Sequence, residues 1–213
     1  MDNSASCPRT AHRLPPLPTL RALLDRRLMC NAPKSKPEKM ILFLDFDGVL
    51  HPSQAYMGRH GPELAVDGAL FMWAHLLAEV LANYPRVQIV LSTSWARHLP
   101  YMQVRGYLPP ALRDRVVGST WHRIRTEPAF RDGFQFSYWQ TASRYQQVRR
   151  WVDLYHVTQW LAIDDDTVDW ADADRCHLVA TDGQVGFSDV NVQLELRSKL
   201  EQFGGGISPC ASD

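Results

Sequence analysis

The sequence predicts an α/β protein, a three-layer sandwich built on a mainly parallel sheet. Two observations carry this: short apolar runs alternate with stretches of helical spacing, and three of the apolar runs lead straight into a polar cluster. Ile41-Leu-Phe-Leu44 is a continuous apolar run ending at Asp45, the pattern of a strand buried on both faces. Residues 64–83 have helical apolar spacing, closed by Asn83 and Pro85. Val87-Gln-Ile-Val-Leu91 is the second strand and runs into Ser92-Thr-Ser94. A short helix is expected up to Gly106, with Pro109 and Pro110 stopping it, and Arg115-Val-Val117 is a third short strand. In 141–155, Val148, Trp151, Val152 and Tyr155 share one side of a helix. Trp160-Leu-Ala-Ile163 is a further apolar strand and ends in Asp164-Asp-Asp166. His177-Leu-Val-Ala-Thr181 reads as a strand, and 190–203 as the last helix before a Gly-rich tail.

Around this body the composition changes. The chain has 23 basic and 23 acidic side chains in 213 residues, yet residues 1–40 hold eight of the basic and three of the acidic ones. A basic segment rich in Pro and Arg thus precedes an acidic body, and the expected division is a flexible basic arm (1–39), a catalytic domain (40–203) and a flexible tail (204–213). The hydrophobic fraction of 45% excludes a wholly disordered chain or a highly charged nucleic-acid tail. Cys7, Cys30, Cys176 and Cys210 are widely spaced and form no CxxC pair, which argues against a zinc site or a disulfide scaffold and for a reducing compartment. No apolar run reaches the ~18–20 residues of a membrane helix, and no signal peptide opens the chain. A cytoplasmic monomer is the default expectation.

In parallel sheets of this kind, ligands bind beyond the carboxyl ends of the strands. Asp45 and Asp47, Ser92 to Ser94, and Asp164 to Asp166 all follow apolar strands, so the three clusters converge on one sheet edge. Carboxylates at i and i+2 can point to the same side, and Gly48 permits a sharp turn after them. An isolated Asp-x-Asp-Gly would more often be a turn capping its own amides; a second acidic strand end changes those odds. Adjacent carboxylates repel unless a divalent ion sits among them, and an all-oxygen set favours Mg2+ over zinc. Asp166, Asp169, Asp172 and Asp174 read as a solvated acidic turn, whereas Asp164 and Asp165 stand against the strand.

With these residues in view, the chain resembles the haloacid dehalogenase (HAD) superfamily of aspartate-nucleophile phosphotransferases, over residues 41–203. Asp45-Phe-Asp-Gly-Val-Leu50 is similar to its first motif, Ser92-Thr93 to its second, Arg144 to the Lys/Arg of its third, and Ile163-Asp-Asp165 to its fourth. The extension to His51, the Ser-Thr-Ser-Trp95 block and the late Gly186-Phe187 resemble the compact HAD domains associated with bacterial RNA repair proteins. Two positions depart from the superfamily pattern: Val168 interrupts a Gly-Asp-x-x-x-Asp spacing, and the third motif carries Arg, for which Arg149, Arg150 or Arg123 are alternatives.

The resemblance implies a Rossmann-like fold and a Mg2+-dependent phosphoric monoester hydrolase acting through an aspartyl phosphate. It makes Asp45 the nucleophile and Asp47 the acid/base. Ser92, or Thr93 as the alternative, would bind the phosphoryl group with Arg144; Asp45, Asp47, Asp164 and Asp165 would hold Mg2+. Only 44 residues separate Asp47 from Ser92 and 50 separate Thr93 from Arg144, too few for a large cap domain. An uncapped site suits a large or exposed phosphomonoester, a nucleic-acid end (RNA or DNA) or a phosphoprotein. His51, Trp95 and Arg97 are candidate pocket residues. The aromatics Trp121, Phe134, Phe136, Tyr138 and Trp139 interleave with Arg123, Arg125 and Arg131, either to stack on bases or to pack on the sheet. The competing readings are a HAD-fold binding module without turnover, and phosphotransfer to an acceptor other than water.

Overall fold

The computed structural model describes residues 39–59, 61–121 and 138–204. The expected arm up to residue 38, the tail beyond residue 204 and the stretch 122–137 with Arg123 lie outside the described residues.

Strand β1 (Met40–Leu44) is central and fully buried. It pairs in parallel with β4 (Val87–Leu91) on one side and β6 (Trp160–Asp164) on the other. Strands β5 (Val116–Ser119) and β7 (Leu178–Ala180) add to the edges, giving the order β5-β4-β1-β6-β7 with every pairing parallel. The alternation of side chains along β1 divides the core. Leu42 and Leu44 join a cluster with Leu77, Val80 and Leu81 of helix α1 (Ala74–Ala82). To the same cluster belong Val104 of α2 (Tyr101–Gly106), Leu112 of α3 (Pro110–Arg113), and Leu196 and Leu200 of α6 (Val190–Gly204). A short turn of helix, α4 (Tyr138–Thr141), comes before α5 (Arg144–Tyr155). Ile41 and Phe43 point the other way, onto Val148 and Val152 of α5, and Phe43 meets the Trp151 ring edge-on at 5.4 Å. Helices on both faces of a parallel sheet make the three-layer sandwich that the sequence predicts.

The chain leaves β1 for β4 on one side and returns to β6 on the other, so β1 stands at the switch point where such sheets bind ligands. The hydrogen-bond ladder continues just past the strand ends: Asp45 N donates to Ile163 O at 3.2 Å and Ser92 N to Leu44 O at 2.9 Å. The backbone therefore brings Asp45, Ser92 and Asp164 level with one another.

Some elements differ from the sequence expectation. The helix expected over 64–83 begins at Ala74, and an antiparallel hairpin, β2 (Ala55–Gly58) with β3 (Gly61–Leu64), precedes it. Gly61 at φ +132°, Gly68 at φ +142° and Phe71 at φ +61° are incompatible with a continuous helix there. This four-residue-a-side hairpin is too small to be a cap domain. The helix expected over 141–155 begins at Arg144, because Ser143 accepts from Gln146 N while the Gln146 side chain accepts from Ser143 N, a capping box. The helix expected up to Gly106 ends there, and Pro110 also opens α3. No helix among the described residues is long and apolar enough to cross a membrane.

Candidate active site

Asp45 follows the last residue of β1, and its side chain is 3% exposed. Asp164 is the last residue of β6 and wholly buried, and Asp165 follows it half-buried. Carboxylate oxygens of Asp45, Asp164 and Asp165 lie within 4.8 Å of one another. Arg144 reaches into this group from the first turn of α5. Its Nη2 donates to Asp45 Oδ2 at 3.3 Å, and its Nε stands 3.3 Å from Asp164 Oδ2.

Burial dominates the electrostatics. It pushes the Asp45 carboxyl up to about 6, with Arg144 pulling the other way and the Asp47 charge reinforcing the rise. Burial likewise holds Asp164 well above the ordinary carboxylate range, and raises Asp165. At Arg144 burial works against the charge, but Asp45 and Asp164 outweigh it and the guanidinium is raised. One arginine does not satisfy this much buried acid. Asp45 Oδ1 and Asp164 Oδ2 are buried without a hydrogen-bond partner among the described residues.

Gly48 fits tightly against Asp165. At φ +70° it turns the backbone back, and a Cβ there would overlap the Asp165 carboxylate. Its carbonyl is taken up by Thr181 Oγ1 at 2.8 Å. Gly183 lies on the far side, where a Cβ would come within 3.0 Å of Asp165 Oδ2. Thr181 and Gly183 thus shape the site without any motif spacing to reveal them; the short turn after β7 is their sole sequence signal.

Ser92 and Thr93 separate clearly. Ser92 is 1% exposed and its Oγ has no partner among the described residues, whereas Thr93 Oγ1 accepts from Trp95 N at 3.3 Å and caps the 3-10 turn Ser94–Arg97. Of the arginines weighed for the third motif, Arg149 pairs with Asp153 at 2.7 Å and Asp174 at 3.5 Å, and Arg150 lies over the Tyr138 ring at 4.5 Å. Arg144 is the one of these that reaches the carboxylates.

Asp47 sits apart from the buried group with its side chain 22% exposed. The Trp95 Nε1–H straddles its carboxylate, 3.0 Å from Oδ1 and 2.9 Å from Oδ2, and His51 Nε2 lies 3.1 Å from Oδ1. Beyond the ends of β4 and β5, Arg97, His98, Tyr101 and Trp121 help line a cavity of about 270 Å³, with the Arg97 guanidinium 5.5 Å above the Trp121 ring.

Residues 41–192 match the family described as "HAD domain in Swiss Army Knife RNA repair proteins". The chain belongs to this family. It is a HAD-superfamily domain of the hydrolase and phosphotransferase type, with a small hairpin and no large cap among the described residues. No curated protein and no solved structure matches the chain.

HAD domains generally use Mg2+, and the residues present fit that ion. All the converging donors are hard oxygens, and Asp45 Oδ1 is buried without a hydrogen bond among the described residues, while Asp164 Oδ2 has only the Arg144 ion pair. An unpaired buried carboxylate is costly, and a divalent cation removes that cost.

Proposed function

We propose that this HAD domain is a Mg2+-dependent phosphatase that works through an aspartyl phosphate on an exposed phosphomonoester, with a nucleic-acid end as the favoured class. The observation that carries the reading is the convergence of Asp45, Asp164, Asp165 and Arg144 at the carboxyl edge of the sheet, with Asp45 Oδ1 and Ser92 Oγ buried without a hydrogen bond among the described residues.

Asp45, Asp164 and Asp165, with the backbone carbonyl of Asp47, would hold Mg2+, which when bound offsets negative charge on nucleophile and phosphoryl group. Asp45 then forms a bond to phosphorus as the ester oxygen departs. Asp47 gives that oxygen its proton. In the second step Asp47 takes a proton from water, whose oxygen bonds to phosphorus and frees Asp45. Ser92 Oγ–H is unspent and available to a phosphoryl oxygen, while the Thr93 hydroxyl is engaged in its cap. Arg144 supports the phosphoryl charge from beside the nucleophile.

Substrate class is supported by openness and by chemistry at the rim. A hairpin leaves room for a polymer end, and the Arg97–Trp121 pair offers a cation and a ring face such as nucleic-acid termini engage. The family's printed association with RNA repair points the same way. A binding module without turnover would have no use for unspent Ser92 and Asp45 oxygens in one site. Transfer to an acceptor other than water would use the same aspartyl phosphate and differ in product alone.

Phosphate release from p-nitrophenyl phosphate tests the chemistry. Activity is expected with Mg2+ and not with chelator, and is expected to vanish in Asp45→Asn. Wild-type turnover in that variant would overturn the nucleophile. Oligonucleotides bearing 3′- or 5′-phosphate, compared with phosphopeptides, test the substrate class.

A further inference from the structure

Two side chains to which the four motifs give no chemical role, His51 and Trp95, converge on the proposed acid/base. His51 is wholly buried, and its ring bridges two partners. Nδ1 faces Phe71 N at 3.4 Å and Nε2 faces Asp47 Oδ1 at 3.1 Å. A backbone N–H can only donate, so Nδ1 accepts and the ring hydrogen stands on Nε2, aimed at Asp47. Phe71 makes that contact from a left-handed backbone, φ +61°, which a phenylalanine adopts at a conformational cost and which packing must enforce. The packing is present: the Phe71 ring meets Phe46, His51 and Trp95 edge-on, at 5.0, 5.1 and 5.5 Å, and stacks on Tyr107 at 5.9 Å. Trp95 is itself 5% exposed and held against Phe46 and Tyr107.

We propose that Trp95 and His51 are the positioning residues of Asp47, fixing its carboxylate through indole and imidazole N–H donors locked in an aromatic cage. This rests on the phosphatase reading above. Oδ1 takes the His51 donor and a share of the Trp95 donor, while Oδ2 takes the remaining share alone. Oδ2 is therefore the oxygen with lone pairs to spare, and it exchanges the proton: to the leaving oxygen as the P–O ester bond breaks, and back from water as the aspartyl phosphate is hydrolysed. The phenylalanine at position 71 and the cage around it serve to keep the other oxygen still.

The test compares p-nitrophenyl phosphate, whose leaving group needs little help from an acid, with an alkyl phosphate, whose leaving group needs much. Trp95→Phe keeps the ring in the cage and removes the donor. It is expected to lower kcat on the alkyl ester by about tenfold or more, within the ~10²–10⁴-fold worth of a general acid. KM should stay within about twofold, and the loss on p-nitrophenyl phosphate should be much smaller. His51→Gln, which retains an N–H at the end of its side chain, is expected to keep more alkyl-ester activity than His51→Leu. Equal losses on both esters, or kcat unchanged in Trp95→Phe, would overturn the proposal. So would equal activity of His51→Gln and His51→Leu. Should His51→Leu fail to fold, Trp95→Phe and His51→Gln still decide. Asp45→Asn run alongside separates the two ideas: full activity there removes the aspartyl-phosphate reading on which this inference rests, whereas an inactive Asp45→Asn with an unaffected Trp95→Phe removes this inference alone.

Discussion

The strand-end carboxylates and the acidic turn that follows β6 have the same residue type and adjoin in sequence, yet they face opposite physics. Asp166 accepts from Val168 N, Asp172 from Arg175, and Asp174 from Tyr145. Asp169 and Asp172 are exposed. Each of these groups has water or a local donor, as an ordinary surface turn requires. Asp45 and Asp164 are buried from solvent with too few donors among the described residues, and burial raises both. The difference teaches that acidic count says little at this edge of the sheet; what matters is which carboxylates the fold leaves in want of a partner.

The sharpest way to break the comparison is to remove the cation that, among the described residues, the strand-end group possesses. Arg144→Ala is expected to lower kcat by about 10²–10³-fold, the scale of losing a preorganised charge beside the reacting group. Arg149→Ala, whose partners Asp153 and Asp174 belong to the helix surface and the acidic turn, should change kcat by less than about twofold. Steady-state kinetics on p-nitrophenyl phosphate reads both. A larger loss in Arg149→Ala would reassign the third motif.

Next in size is Gly48→Ala. The new methyl must displace the Asp165 carboxylate and adopt φ +70°, so Mg2+ affinity is expected to fall by about 10–100-fold. Isothermal titration of the variant with Mg2+ measures it; unchanged affinity would show that Asp165 is not a ligand.

Protons compete for the same oxygens. In the metal-free protein Asp45 is raised to about 6, chiefly by burial, and Asp164 and Asp165 are raised as well. Metal binding must therefore displace protons below that range, and Mg2+ affinity should weaken as pH falls through about 6, with proton release seen as a buffer-dependent enthalpy. Affinity flat from pH 5 to pH 7.5 would contradict it. The same shift bears on stability. A folded-state pKa above the unfolded 3.8 means that the folded chain binds the proton more tightly, so this group's contribution is full below about 3.8 and lost as pH rises through about 6. Asp45→Asn should accordingly melt higher than wild type at pH 7 without metal, and the gap should close as pH falls to about 4.

Much of this edge was legible in the sequence, because burial on both faces of a parallel sheet leaves a continuous apolar run that ends abruptly in charge. Asp45, Asp164 and Asp165 are read that way, and the family match agrees with the fold so derived. The hairpin before α1 was not legible because its strands are four residues each with no apolar alternation, and the late start of α1 was not, because helical spacing over 64–83 runs straight past Phe71, whose left-handed backbone breaks it. The aromatic cage escaped for the same reason: Phe71, Trp95 and Tyr107 come from three separate segments and share no period. The choice between Ser92 and Thr93 needed the cap on Trp95 N, which depends on how the 3-10 turn begins.

The smallest effect is the most exacting for the comparison. Asp172→Asn removes a carboxylate that is fully exposed and pairs with Arg175 three residues on, an interaction that water and salt screen. Neither kcat, Mg2+ affinity nor the melting temperature should change measurably. Charge removed here lowers the acidity of the body as much as charge removed at Asp45 does. If net acidity drew the metal or repelled the substrate, the two substitutions would act alike. If the fold's unpaired oxygens do the chemistry, Asp172→Asn is silent beside an inactive Asp45→Asn, and that silence separates a local site from a diffuse field.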